Sequence, residues 1–120
     1  MSCNITQDQL ASFYGTSQWY QFWGDPRITY TDGIQFLNAN GAAWLVDAIA
    51  SYQREKVLQT EALKAFQLWE LKVKDGKGIL TCREDSGCNA VITQKIEYTD
   101  FPFDIKIYVE GNVILLPSEH

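Results

Sequence analysis

The spacing of apolar residues along this 120-residue chain changes period near residue 65. Before that point the apolar positions recur at helical intervals, and after it they alternate. The strongest helical stretch runs from Ala42 to Tyr52, where Leu45, Ile49 and Tyr52 stand at i, i+4 and i+7. Trp44 and Ala48 extend that stripe on one side and Val46 widens it on the other. Asp47, Ser51 and Arg54 form a narrower polar stripe at the same spacing. A helix this apolar must be covered over most of its circumference, most simply by a sheet beneath it.

Shorter elements lead into this helix. Thr6-Gln-Asp-Gln9 has the capping-box pattern and predicts a short helix presenting Leu10, Phe13 and Tyr14, stopped at Gly15. An aromatic cluster, Trp19 to Trp23, follows and is ended by the breaker Gly24-Asp25-Pro26. Its rings are expected either to cover an edge of the core or to form an exposed recognition patch of Trp19, Tyr20, Phe22 and Trp23. Ile28 to Tyr30 reads as a short extended segment. Asp32, with Gln35 three residues on, is expected to cap a second short helix carrying Ile34, Phe36 and Leu37. Leu58 to Ala65 continues the helical pattern, with Thr60 as its cap.

Beyond residue 65 the alternation predicts strands at Phe66–Val73, Ile79–Arg83, Ala90–Tyr98, Asp104–Val109 and Val113–Leu116. Lys74-Asp-Gly-Lys-Gly78 and Glu110-Gly-Asn112 carry hairpin turn chemistry. The expected fold is α+β in a single domain over residues 1–120, with N-terminal helices packed on one face of a C-terminal antiparallel meander of four to five strands.

Composition narrows the function classes. The net charge is -5 with 10 Lys and Arg against 15 Asp and Glu, so no nucleic acid is expected as a partner. No run of 18 apolar residues occurs, and Met1 to Leu10 lacks the basic and apolar regions of a secretory signal. Three cysteines, Cys3, Cys82 and Cys88, point to a reducing cytoplasm, with no membrane association expected. Cys82-x5-Cys88 is an unusual spacing for zinc, and His120 is the one histidine, so neither a metal nor a cofactor is expected. Free thiols flanking a hairpin are the simpler reading.

Asp47 is the polar residue that most needs explaining, because a carboxylate within an apolar helix is costly to bury unless paired. In a functional role it would act as an acid, a base or a ligand contact, with Ser51 and Arg54 beside it. In a structural role it would sit at the helix edge, bonded to a Tyr hydroxyl, an Arg or a loop amide. That role predicts a loss of roughly 1–3 kcal/mol in Asp47→Ala, the cost of stranding a buried partner. Ser51 has no histidine nearby in sequence to serve as its base. Tyr-Thr-Asp occurs twice, at residues 30–32 and 98–100, which adds Asp32 and Asp100 to the candidate polar cluster. Thr-Asp after a strand is also ordinary turn chemistry.

The segments FYGT (13–16), YTDG (30–33), AWLVDAIASYQ (43–53), EYTDFP (97–102) and LLPSE (115–119) resemble a family of short bacterial proteins classed as a domain of unknown function. The resemblance covers nearly the whole chain and implies a bacterial, stand-alone, single-domain protein. It implies no activity and lends no functional residues.

The leading expectation is a non-enzymatic interaction domain, an adaptor or inhibitor whose partner is another protein. The alternative is a small-molecule-binding protein or minor enzyme with a pocket between helix and sheet near Asp47. An acidic mimic of nucleic acid fits the net charge but not the basic residues interspersed among the acids.

Overall fold

Strand formation begins earlier in the chain than the change of period suggests. The structure is a computed structural model describing residues 5–120, so Cys3 lies outside the described residues. The chain runs α1 (Gln7–Ala11), β1 (Tyr20–Phe22), β2 (Asp25–Tyr30), α2 (Asp32–Ala39), α3 (Ala43–Tyr52) and α4 (Glu61–Ala65). It continues through β3 (Gln67–Lys74), β4 (Lys77–Arg83), β5 (Ile92–Ile96), β6 (Ile105–Glu110) and β7 (Val113–Leu115). Single 3-10 turns lie at Lys56–Leu58 and Pro117–Glu119.

All seven strands belong to one mixed sheet of order β1-β2-β7-β6-β3-β4-β5. The fold is α+β and mostly antiparallel, but the sheet exceeds the expected four to five strands. The extra strands come from the aromatic cluster and the segment after it. Trp23 and Gly24 form a two-residue connection, and Phe22 lies opposite Asp25. Pro26 is tolerated because the register shifts between Gln21 and Phe22, leaving residues 26–28 outside the regular ladder. The helices are therefore interleaved with strands rather than collected ahead of them.

The meander also fails beyond β5. β6 returns to pair with β3 at Leu71↔Ile105, and β7 then pairs antiparallel with β6 and parallel with β2. Pairing with β3 places Ile105, Ile107 and Val109 on the buried face beside Leu71 and Trp69. An edge position beyond β5 would offer those side chains less cover.

Local chemistry explains the turns. Asp75 and Gly76 have φ of 55° and 76°, and Gly111 and Asn112 have 54° and 68°. Consecutive positive φ values of this kind are what a tight two-residue hairpin requires. At α1 the capping box forms as read, with the Thr6 hydroxyl accepting the Gln9 N–H and the Gln9 side chain accepting the Thr6 N–H. Thr60 caps α4 in the same way. Helix α1 ends at Ala11, and Tyr14 points into solvent instead of joining its apolar face.

Helix α3 lies across the inner face of the sheet. Leu45, Val46, Ile49 and Ala50 are buried in one cluster with Ile34 and Leu37 of α2 and with Trp69, Leu71, Leu80 and Ile107 beneath. The Tyr52 hydroxyl reaches across to Gln94 of β5 at 2.6 Å, and its ring meets Trp69. A part-buried amide pair fixes the end of the helix. Gln53 and Gln67 exchange hydrogen bonds at 2.9 and 2.8 Å, and the Trp69 indole N–H donates to Gln67 Oε1 at 2.8 Å. With its inner side so occupied, α3 turns Trp44, Asp47, Ala48 and Ser51 the other way. These four share one helical face by their i, i+3, i+4, i+7 spacing.

Candidate functional site

Two polar constellations stand out, and they differ in how far their groups are committed. The first is the junction at the start of α2, where residues of the segments 13–16, 30–33 and 115–119 meet. Helix α2 begins one residue earlier than Asp32 as a cap would require, because Thr31 is the capping residue and Asp32 the first helical one. The Thr31 hydroxyl makes no local cap. It donates instead to Glu119 Oε1 at 2.6 Å. The same carboxylate accepts the Gly33 N–H at 3.1 Å and the Leu116 N–H at 3.1 Å. A distant glutamate thus satisfies an orphan amide of the first turn, with its charge placed at the positive end of the helix.

Asp32 is committed on the opposite side of that junction. Its Oδ2 accepts the Ser17 N–H at 2.9 Å and the Ser17 hydroxyl at 3.0 Å, while Oδ1 accepts the Tyr20 hydroxyl at 3.2 Å. The Asp32 N–H donates to Thr16 Oγ1 at 2.9 Å. These bonds, the Ser17 amide foremost, hold the carboxyl below its ordinary range. The Tyr20 phenol is pushed up by burial and then by its bond to Asp32. This cluster ties loop 13–19 to α2, and each Asp32 carboxylate oxygen in it accepts at least one hydrogen bond.

The second constellation is a groove of about 540 Å³ between α3 and the tip of the β1–β2 hairpin. Phe22 and Trp23 form one wall, and Trp44, Asp47, Ala48 and Ser51 form the other. The aromatic cluster is split between β1, which holds Tyr20 and Phe22, and the residues flanking it, Trp19 and Trp23. Phe22 is buried and Tyr20 half-buried, stacked on Tyr30, whereas Trp19 is 62% and Trp23 85% exposed. Trp44 is half-buried.

Asp47 is half-buried and makes no hydrogen bond or ion pair with any described residue. The Tyr hydroxyl, Arg or loop amide expected for a structural role is absent from it. Its charge is felt by the nearby Tyr30 phenol, which burial chiefly and Asp47 secondarily push up. Ser51 Oγ donates to the Ala48 carbonyl at 2.9 Å, an ordinary bond within the helix. Arg54 closes one end of the groove. Its Nη2 donates to the Gly24 carbonyl at 3.0 Å, and its Nε lies 3.7 Å from Asp25 Oδ2.

Asp25 is the buried acid that sequence reasoning took for part of a breaker. It receives Arg27 in a fork, Nε on Oδ1 at 3.1 Å and Nη2 on Oδ2 at 2.9 Å. Arg27 and, more weakly, Arg54 hold its carboxyl down at about 2. The Asp25–Arg54 pair also separates the groove from a second, more polar cavity of about 540 Å³ lined by Arg27, Lys64, Gln53 and Gln59. A two-residue Trp-Gly link between aromatic and apolar runs was the available signal for this hairpin.

The structure brings Asp47, Ser51 and Arg54 together with Phe22 and Trp23 along one groove, and it leaves Asp32 and Asp100 elsewhere. Asp100 belongs to the loop after β5, where the Thr99 N–H donates to the Gly76 carbonyl at 2.8 Å and Thr99 Oγ1 accepts the Phe101 N–H. The second Tyr-Thr-Asp is thus a separate turn that fastens the β3–β4 hairpin. Cys82 is a buried free thiol on β4, pushed up to about 12 by desolvation, while Cys88 is exposed in the following turn. His120 stands against Tyr108 and Phe66 and pairs with Glu110. Among the described residues no helix is long and apolar enough to cross a membrane.

A family model described as "Family of unknown function (DUF6876)" matches residues 4–120, and the chain belongs to that family. No curated protein and no solved structure matches it.

Proposed function

We propose that this member of the family is a non-enzymatic, cytoplasmic bacterial interaction domain, an adaptor or inhibitor that binds another protein through the hairpin tip and the groove beside it. The observation that carries this reading is the pair of exposed tryptophans, Trp19 and Trp23, that flank the edge strand β1. Large aromatic rings are costly to leave in water, and they are the residues most enriched at the centres of protein interfaces. Here they stand beside an unpaired sheet edge, which natural proteins usually shield or charge.

The chemistry in the groove supports binding more than turnover. Ser51 is bonded to its own helix, and the histidine that could activate it is engaged with Glu110. A second reading keeps a specific observation in its favour. The groove volume lies within the range of small-molecule sites, and it places Asp47, Ser51 and Arg54 along one wall.

Affinity capture from a lysate of the native cells, with wild type and Trp23→Ala side by side, tests the proposal. Trp23 is so exposed that its removal leaves the fold intact. A near-stoichiometric protein held by wild type and lost from Trp23→Ala is the expected result. Capture that ignores the substitution, or none at all, would move the assignment to the small-molecule reading.

A further inference from the structure

We infer that the groove between α3 and the β1–β2 hairpin receives a positively charged side chain, a lysine or arginine, from the partner protein. This rests on the reading of the groove as a protein-binding surface. Three observations point to the charge of the occupant. Asp47 projects into the groove from an otherwise apolar helix and has no counter-charge among the described residues. The nearest cation in sequence register, Arg54, is already engaged by Asp25 and by the Gly24 carbonyl. Indole rings from both walls, Trp23 and Trp44, line the same space.

These features act together. Covering Asp47 with a neutral side chain would remove its water and return nothing, so an apolar occupant is disfavoured. An acidic occupant would meet like charge. An ammonium or guanidinium group restores the lost hydration with an ion pair, and the indole faces add cation–π attraction to it. The net charge of -5 favours encounter with a basic surface before contact is made. The selectivity thus comes from one carboxylate that the fold leaves uncompensated and from two indole rings that line the same space.

Titration followed by the indole N–H resonances tests this on the full chain, with Nα-acetyl-lysine methylamide as the probe. Nα-acetyl-norleucine methylamide, which has the same stem without the charge, is the control. Saturable shifts confined to Trp23 and Trp44 are expected with the lysine probe, with none at the norleucine control. Asp47→Asn should weaken binding about five- to tenfold, the scale of one charge contact at a part-exposed site. Trp23→Ala should weaken it comparably. Equal shifts with norleucine, an unaffected Asp47→Asn variant, or no saturable shift would overturn the inference.

The two proposals fail separately. If Trp23→Ala loses its captured partner while Asp47→Asn binds lysine and partner normally, the groove is a protein site that ignores charge. If the lysine probe binds as expected while Trp23→Ala keeps the captured partner, the cation site stands without the protein-binding reading.

Discussion

The junction at the start of α2 and the groove on the outer side of α3 are built from the same kinds of residue, carboxylates, hydroxyls and aromatic rings, and they use them in opposite ways. At the junction Glu119 accepts three hydrogen bonds and Asp32 accepts three more. In the groove Asp47 has no partner among the described residues, and Trp23 is 85% exposed. A satisfied polar network fixes a single backbone arrangement. An unsatisfied one must find its partner in solvent or in a ligand. FYGT, YTDG and LLPSE meet at the junction and hold the fold together.

The largest expected effects come from breaking the junction. Glu119→Ala removes the acceptor of three bonds and leaves the buried Thr31 hydroxyl without its partner. It should cost about 2 kcal/mol in chemical denaturation, since a charge-assisted bond to a partly exposed carboxylate is at stake. Gly33→Ala should cost a similar amount for a different reason. A Cβ there would lie 2.5 Å from Glu119 Oε1 and 2.6 Å from Leu116 Cδ1, too close for either to stay in place. Because the two changes share one contact, the double variant should lose less than the two losses added together. Simple additivity would mean that Glu119 and Gly33 act independently and would undo the picture of a single interlocked junction.

A smaller effect should appear on acidification. The folded-state pKa of Asp32 and of Asp25 lies below the ordinary 3.8, through the Ser17 amide and the Arg27 guanidinium respectively. A depressed carboxyl contributes its stability above the unfolded value and loses it as pH falls through the folded one. The thermal midpoint should therefore fall from about pH 4 downward, with the Asp25 share disappearing near pH 2. Asp32→Asn and Asp25→Asn should start lower and decline less. Curves parallel to wild type would remove both residues as causes.

What the sequence made legible was local. The Thr6 capping box, the Thr60 cap and the Asp75-Gly76 turn each lie within four residues and depend on nothing outside them. The buried stripe of α3, Val46 included, was also readable, although it takes in Ala50 and leaves Trp44 and Ala48 half-exposed. The choice between two adjacent stripes depends on where the sheet lies. Pairings across long separations were not readable. β6 joins β3 rather than β5, β7 slides in beside β2, and Glu119 reaches back 86 residues to Gly33. Alternation marks residues as strand without naming their neighbour. The groove was half legible, because its helical wall follows from spacing while its aromatic wall depends on a hairpin hidden behind Gly24-Asp25-Pro26.

The smallest expected effect is the one that bears most directly on the comparison. A structural Asp47 would have cost roughly 1–3 kcal/mol on removal, by stranding a buried partner. The structure offers no described residue to strand. Asp47→Ala should therefore change unfolding free energy by no more than about 0.5 kcal/mol, as for most substitutions outside a bonded network. Alanine's higher helix propensity would push the small difference toward greater stability, since Asp47 sits in the second turn of α3. Urea denaturation of wild type and variant at neutral pH resolves a change of that size when the slopes agree. A loss above 1 kcal/mol would place Asp47 with Glu119 and Asp32 as a residue the fold requires, and the contrast between junction and groove would collapse. A near-zero change, with weakened lysine binding in the same variant, would mean that the carboxylate is kept for what enters the groove.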